Sequence, residues 1–196
     1  MEAIRYDVVV VGGGPGGLAA AQGARLAGAP SVLVLERENR LGGILNQCVH
    51  DGFGLVRYRE ALTGPEYAQR AREEARSAGA DLMTGAMVTG LTRDRTLTAV
   101  TRRGLLTCQA GAVVLATGCR ERTRGAIAIP GTRRAGVYTA GTAQNLMNTK
   151  NLLVGRRVLD LGAVDSVLGL AGRWAEGGGG VVWGARGGPA QGGQAR

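Results

Sequence analysis

The first pattern in the chain is Asp7 running into four unbroken valines, Val8 to Val11, and then into Gly12-Gly13-Gly14-Pro15-Gly16-Gly17. A continuous apolar run bounded by glycines predicts a strand covered on both faces, as in the middle of a parallel sheet. Leu18 to Leu26 is rich in small helix formers, which predicts a helix lying tightly on that sheet, with Pro15 near the first turn where a missing N–H costs little. A second apolar run, Ser31 to Leu35, closes on Glu36. From Arg37 to Thr63 glycines interrupt the pattern, giving a long loop or short helical piece of a kind that usually carries function. Thr63-Gly64-Pro65-Glu66 then predicts a helix start, with the helix running to about Ser77 and stopped by Gly79.

Three β-type runs follow at residues 81–91, 96–102 and 105–110, divided by Arg93-Asp94-Arg95 and Arg103-Gly104, and predict a small three-stranded antiparallel meander. Ala112 to Ala116 is a further apolar run of the doubly covered type and ends in Thr117-Gly118. Residues 139–149 have helical character, and Arg156 to Gly162 resembles a second strand-to-turn opening. From Gly177 onward glycine dominates with little periodicity, so this tail is expected to be disordered or poorly packed.

Composition narrows the function classes. At 196 residues and 44% hydrophobic, the chain can bury a core in one domain and part of a second. Only 4% is aromatic, against 35 glycines, which disfavours the stacking platforms of single-strand nucleic-acid binders. The net charge of +9 comes almost wholly from scattered arginines, with Lys150 the single lysine, and reads as a solvated surface rather than a nucleic-acid footprint. No apolar run is long enough to span a bilayer and no leader pattern opens the chain, so a cytoplasmic protein is expected. Cys48, Cys108 and Cys119 stand at long spacings that fit reduced thiols, and one histidine, His50, argues against a His-based metal site; no metal is expected.

The opening carries the chemistry. Gly12 permits a sharp turn off the strand, Gly14 lets backbone approach a pyrophosphate, and Gly17 lets the helix pack close to the sheet. Free N–H groups and the positive end of the helix dipole would then hold the phosphates. Glu36, nineteen positions beyond Gly17, stands where a carboxylate accepts hydrogen bonds from an adenosine ribose. A return into the parallel sheet after a meander points to a flavoprotein rather than a simple nicotinamide dehydrogenase.

GGGPGG at 12–17, Glu36 with Gly42-Gly43, the meander, and LATG at 115–118 together resemble the two-dinucleotide-binding-domain flavoproteins, that is, the pyridine nucleotide-disulfide oxidoreductases, thioredoxin reductases and their relatives. GGILNQCVHDGFG, LTGPEYA, ATGCRER and VYTAGTAQ look closest to the branch of anaerobic glycerol-3-phosphate dehydrogenase and sarcosine oxidase α-type proteins. The resemblance implies an α/β fold. Residues 1–150 would be a Rossmann-like FAD-binding domain with a parallel sheet and the meander, 151–176 the start of a degenerate NAD(P)-binding domain, and 177–196 the tail. It also implies FAD in an extended pose. Gly12, Gly14 and Gly17, with Pro15 among them, would face the pyrophosphate, Glu36 the ribose, and Gly43 would allow close approach beside them. Val88 would offer backbone groups to adenine, Thr117 and Gly118 would pass close to the cofactor, and Asn46 and Gln47 would lie on the path to the flavin ring. Ordinary strand packing and turn chemistry explain Val88 and Thr117 as well.

The implied activity is hydride transfer between NAD(P)H and an unidentified acceptor through flavin. Two departures qualify it. Cys48 stands alone where the disulfide members carry two cysteines, with Leu45 and His50 near the expected positions, so dithiol chemistry is rejected and no catalytic residue is assigned. Cys48 and Cys119 read as small buried or loop residues, His50 as a solvated loop histidine or a flavin-side group, and Arg120, Arg122 and Arg124 as an anion contact or an exposed charged loop. The second fingerprint, Gly162-Ala163-Val164-Asp165-Ser166-Val167, lacks its second and third glycines, which argues against NAD(P)H binding. The chain also lacks the late Gly-Asp segment of the family and reads as the product of a truncated or frameshifted gene. The alternative function is therefore an inert FAD- or nucleotide-binding fragment, or a subunit needing a partner. Expected partners are a small-molecule electron donor and acceptor and a partner subunit or second copy, with no nucleic acid and no membrane span.

Overall fold

The computed structural model describes residues 3–132, 135–161 and 180–184. The chain divides into two compact units, Met1–Cys119 and Arg120–Arg196.

In the first unit, strand β1 (Ile4–Val11) leads into helix α1 (Pro15–Leu26) and strand β2 (Val32–Glu36). A 3-10 turn (Gly43–Gln47) precedes helix α2 (Gly64–Ser77), then strands β3 (Asp81–Thr84), β4 (Ala86–Leu91), β5 (Thr96–Thr101) and β6 (Gly104–Leu115). They form one six-stranded sheet in the order β3-β2-β1-β6-β5-β4. β3, β2, β1 and β6 run parallel, with Val8 opposite Val32 and Val11 opposite both Leu35 and Leu115. β4, β5 and β6 are antiparallel, as the meander requires.

Side-chain alternation assigns the two faces. Val10, Val32 and Val34 pack with Leu18 and Ala21 of α1 and Ala71 and Ala75 of α2. Val9, Leu33 and Leu35 pack with Ala86, Leu97, Cys108 and Ala110 of the meander. Helices therefore cover one face of the parallel strands and the meander the other, which is why Val8–Val11 and Val32–Leu35 are apolar at every position.

Two strand boundaries differ from the sequence reading. The run 81–91 is two strands: Gly85, at φ 64°, turns the chain from β3 beside β2 into β4 of the meander. The runs 105–110 and 112–116 are instead one strand, β6, whose first half pairs with β5 and whose second half pairs with β1. Gly111 marks no turn; a Cβ there would lie 2.7 Å from the Asp7 carbonyl oxygen, so glycine serves close strand approach.

The second unit contains helix α3 (Ala140–Lys150), with Ala143 and Met147 buried against Val154 and Val158. Thr139 caps α3, and the Glu121 carboxylate accepts from the Gly141 N–H at 2.8 Å. Strands β7 (Arg157–Leu161) and β8 (Gly180–Gly184) pair in parallel. The degenerate fingerprint at 162–167 lies outside the described residues, as does the glycine-rich tail apart from β8.

Candidate functional site

At the carboxyl end of β1 the Gly12 N–H donates to the Leu35 carbonyl at 2.9 Å, and the chain turns with Gly12 at φ 108°. A Cβ on Gly12 would stand 2.3 Å from the Ala116 carbonyl oxygen, and one on Gly17 would stand 1.9 Å from the Gly12 carbonyl oxygen. Both glycines are therefore demanded by the packing of the turn itself. Gly14 differs. It is the N-cap of α1 with φ −74° and ψ 179°, and the nearest atom to an added Cβ is the Gly43 Cα at 4.0 Å.

The three described helices differ at their N-termini. α2 carries a capping box, in which the Thr63 hydroxyl accepts from the Glu66 N–H and the Glu66 carboxylate accepts from the Thr63 N–H. α3 has Thr139 and Glu121. No side chain caps α1 and no acid stands in its first turn. Its leading N–H groups and the positive end of its dipole stand beside Gly14 and Gly43 without a side-chain cap, an arrangement suited to an anion.

Glu36 ends β2 on the face that α1 covers, because its parity is that of Val32 and Val34. It is 6% exposed. One carboxylate oxygen accepts from the Gly13 N–H at 2.7 Å and the other from the Glu38 N–H at 2.8 Å. Each oxygen retains a second lone pair, so the pinned carboxylate can still accept from a hydroxyl.

The loop after β2 closes over this turn. Gly42 N–H donates to the Gly13 carbonyl at 2.7 Å, and Gly43, at φ 55°, lies against Gly14. β6 brings the last piece: Ala116 N–H donates to the Val11 carbonyl at 2.8 Å, and exposed Thr117 and Gly118 follow, with open space around Gly118. Gly12, Gly14, Pro15, Gly17, Glu36, Gly43, Thr117 and Gly118 thus gather at one edge of the parallel strands. Gln47 is buried at the end of the 3-10 turn. The Val88 side chain packs into the meander-side core, beside a register shift between Val88 and Gly90.

Three participants escaped the sequence reading: Gly13 binds Glu36, Leu41 lies over Gly13, and Arg72 donates to the Leu41 carbonyl, as does Asn46, a residue the sequence reading places on the flavin path. The triple glycine was a signal for the first; the contacts of Leu41 with Gly13 and Arg72 join distant segments. The thiols remain free. Burial pushes Cys48 and Cys108 up from the ordinary thiol range, while Cys119 is exposed. His50 Nδ1 donates to the Asp51 carbonyl at 2.9 Å, and its ring rests near Phe53 in an exposed loop.

This glycine-rich turn, buried acid and returning strand coincide with a match of the pyridine nucleotide-disulphide oxidoreductase family over residues 6–163. The chain belongs to that family. Members of the family are flavin-dependent oxidoreductases. An opine oxidase subunit of Agrobacterium tumefaciens (strain Ach5) is 37% identical over 150 residues, covering 71% of this chain and 28% of that protein. The alpha subunit of sarcosine oxidase from Corynebacterium sp. (strain U-96) is 30% identical over 192 residues, covering 91% of this chain and 19% of that protein. The chain thus spans less than a third of these relatives. In fold, it superposes on L-proline dehydrogenase from P. horikoshii with a TM-score of 0.70 at 22% identity, over 93% of this chain and 36% of that one. Among the described residues, no helix is long and apolar enough to cross a membrane.

Proposed function

We propose that residues 1–119 hold FAD for an oxidoreductase that passes a hydride between NAD(P)H and an acceptor through the flavin, without a redox-active disulfide. Gly14 carries this reading: its conformation suits any residue and its surroundings leave room for a Cβ, yet it is glycine, at the uncapped start of α1. A position free of internal demand for glycine is explained by backbone that must be approached from outside, as a pyrophosphate would approach it. Gly12, Pro15 and Gly17 shape that turn, Gly43 borders it, Glu36 receives the ribose hydroxyls, and Thr117 and Gly118 flank the cofactor. Gln47 and the Val88 backbone are assigned to its flavin and adenine ends. FAD, when bound, supplies the two-electron chemistry; the chain orients it and keeps its phosphates on backbone N–H groups.

The test is FAD titration of the purified chain, read by flavin fluorescence and visible absorption, followed by anaerobic NADH and NADPH in separate cuvettes. Gly14→Ala should retain the far-UV CD spectrum and bind FAD roughly a hundredfold more weakly. A wild-type chain that is folded but binds no FAD refutes the reading. Bleaching by a nicotinamide supports hydride transfer. Binding without bleaching favours the second reading, an FAD-binding piece completed by a partner, which the names of the two relatives above, both of them subunits, also support.

A further inference from the structure

The segment Leu41-Gly42-Gly43, which leads into the 3-10 turn, forms a wall of the candidate site. Three contacts seat it on the glycine turn. Gly42 N–H donates to the Gly13 carbonyl at 2.7 Å, a Leu41 methyl lies 2.3 Å from where a Cβ on Gly13 would be, and Gly14 Cα lies 3.1 Å from where one on Gly43 would be. From the opposite side, helix α2 presses on the loop. A Cβ on Gly42 would meet Ala68 Cβ at 2.7 Å, and Arg72, one helical turn beyond Ala68, donates through Nη1 to the Leu41 carbonyl at 3.1 Å. Asn46 Nδ2 donates to the same oxygen at 3.0 Å.

Arg57 and Arg70 pair with carboxylates, Glu74 and Glu60, whereas Arg72, like Arg25, is half-buried and turned to a peptide oxygen. Burial, and then the charge of Arg40, lower its pKa, although a guanidinium keeps its proton. A cation held beside another cation to satisfy a neutral carbonyl is a poor source of stability, but its planar fork fixes that carbonyl in direction and distance.

We propose that Arg72, together with Asn46, is a positioning residue of the cofactor site, locking the Leu41 carbonyl so that Gly43 stays seated against Gly14. The inference rests on the FAD reading above. Arg72 does not touch the glycine turn; it acts through the loop. Without it the loop samples more positions and must be ordered at the moment of binding, which weakens affinity for any ligand that uses the turn.

The experiment titrates the full chain and its Arg72→Met, Arg72→Lys and Asn46→Ala variants with FAD, with ADP and adenosine as competitors and far-UV CD as the measure of folding. We expect FAD and ADP to bind about tenfold more weakly to Arg72→Met and about threefold more weakly to Asn46→Ala. Adenosine, which has no pyrophosphate, should change little, and Arg72→Lys should recover part of the loss. FAD affinities within about twofold of wild type in folded variants would overturn the proposal. Equal losses for adenosine and ADP would do the same, since the effect would then be general. Should Arg72→Met fail to fold, Asn46→Ala decides. A folded wild type that binds no FAD defeats the underlying reading and this proposal with it, whereas a wild type that binds beside unaffected variants defeats this proposal alone.

Discussion

Glu36→Gln isolates what the buried carboxylate does for the turn before any ligand arrives. Two backbone N–H groups, of Gly13 and Glu38, end on separate oxygens at 2.7 and 2.8 Å, and the residue is 6% exposed. Glutamine has the same shape but only one acceptor oxygen, so one N–H must face an amide NH2 group. The Gly13 bond is buried and the Glu38 bond only partly so. The amide therefore turns its oxygen to Gly13 and leaves Glu38, where water can partly compensate. An unsatisfied buried donor costs ~1–3 kcal/mol and a charge-assisted bond is lost with it, so we expect ~2 kcal/mol of destabilisation. With a urea slope of ~1–3 kcal/mol/M, the midpoint of the flavin-free chain should fall by roughly 1 M. Far-UV CD measures the midpoint, and amide exchange identifies the site: Glu38 should exchange faster while Gly13 stays protected. An unchanged midpoint with both amides still protected would show that the carboxylate does not hold the turn, and the geometric argument for Glu36 would fail.

Thr63→Ala removes the acceptor half of the α2 capping box and should lower stability by about 1 kcal/mol in the same urea assay. Burial, then the hydrogen bond to Asp81 and that carboxylate's charge, push Tyr6 up to about 12 from an ordinary 10.0. Because the folded chain holds this proton more tightly than the unfolded one, its contribution is complete below pH 10 and is lost as pH rises towards 12; Tyr6→Phe should flatten stability across that window in alkaline urea titrations. With a thiol reagent at neutral pH, exposed Cys119 should react first and half-buried Cys48 later, while Cys108 should wait for unfolding; equal rates would contradict the placement.

What could be read from the sequence is what is local. The valine run, the glycine spacing, the Thr63–Glu66 cap and the Gly79 stop each depend on a few neighbouring residues, and the structure carries all of them. Strand limits failed where pairing decides them. Residues 81–91 look alike as a β-type run, but only Asp81–Thr84 can reach the edge of β2, and Gly85 separates them from the meander. Gly111, between runs that look like two strands, is a point of close approach to β1. The contacts that complete the site are longer still. Arg72 meets the Leu41 carbonyl across 31 positions, and Gly13 meets Glu36 across 23. Neither pairing has a local pattern.

The glycines show how fold and site divide one motif between them. Gly12 and Gly17 touch each other's backbone or that of Ala116, so a methyl group at either collides with the domain's own chain. Gly42 is held at φ 114° with Ala68 and Asn46 around it, and Gly43 at φ 55° against Gly14. These four would be glycine in a protein that bound nothing. Gly14 has ordinary extended backbone, and an added Cβ would meet nothing nearer than the Gly43 Cα at 4.0 Å, although it is only partly exposed and stands at the mouth of the turn that the other four build. Alanine at Gly12 or Gly17 should therefore cost the fold, and alanine at Gly14 should cost only what enters from outside. If Gly14→Ala were instead to unfold the chain, the internal packing would account for the whole glycine pattern, and the motif would cease to argue for a ligand.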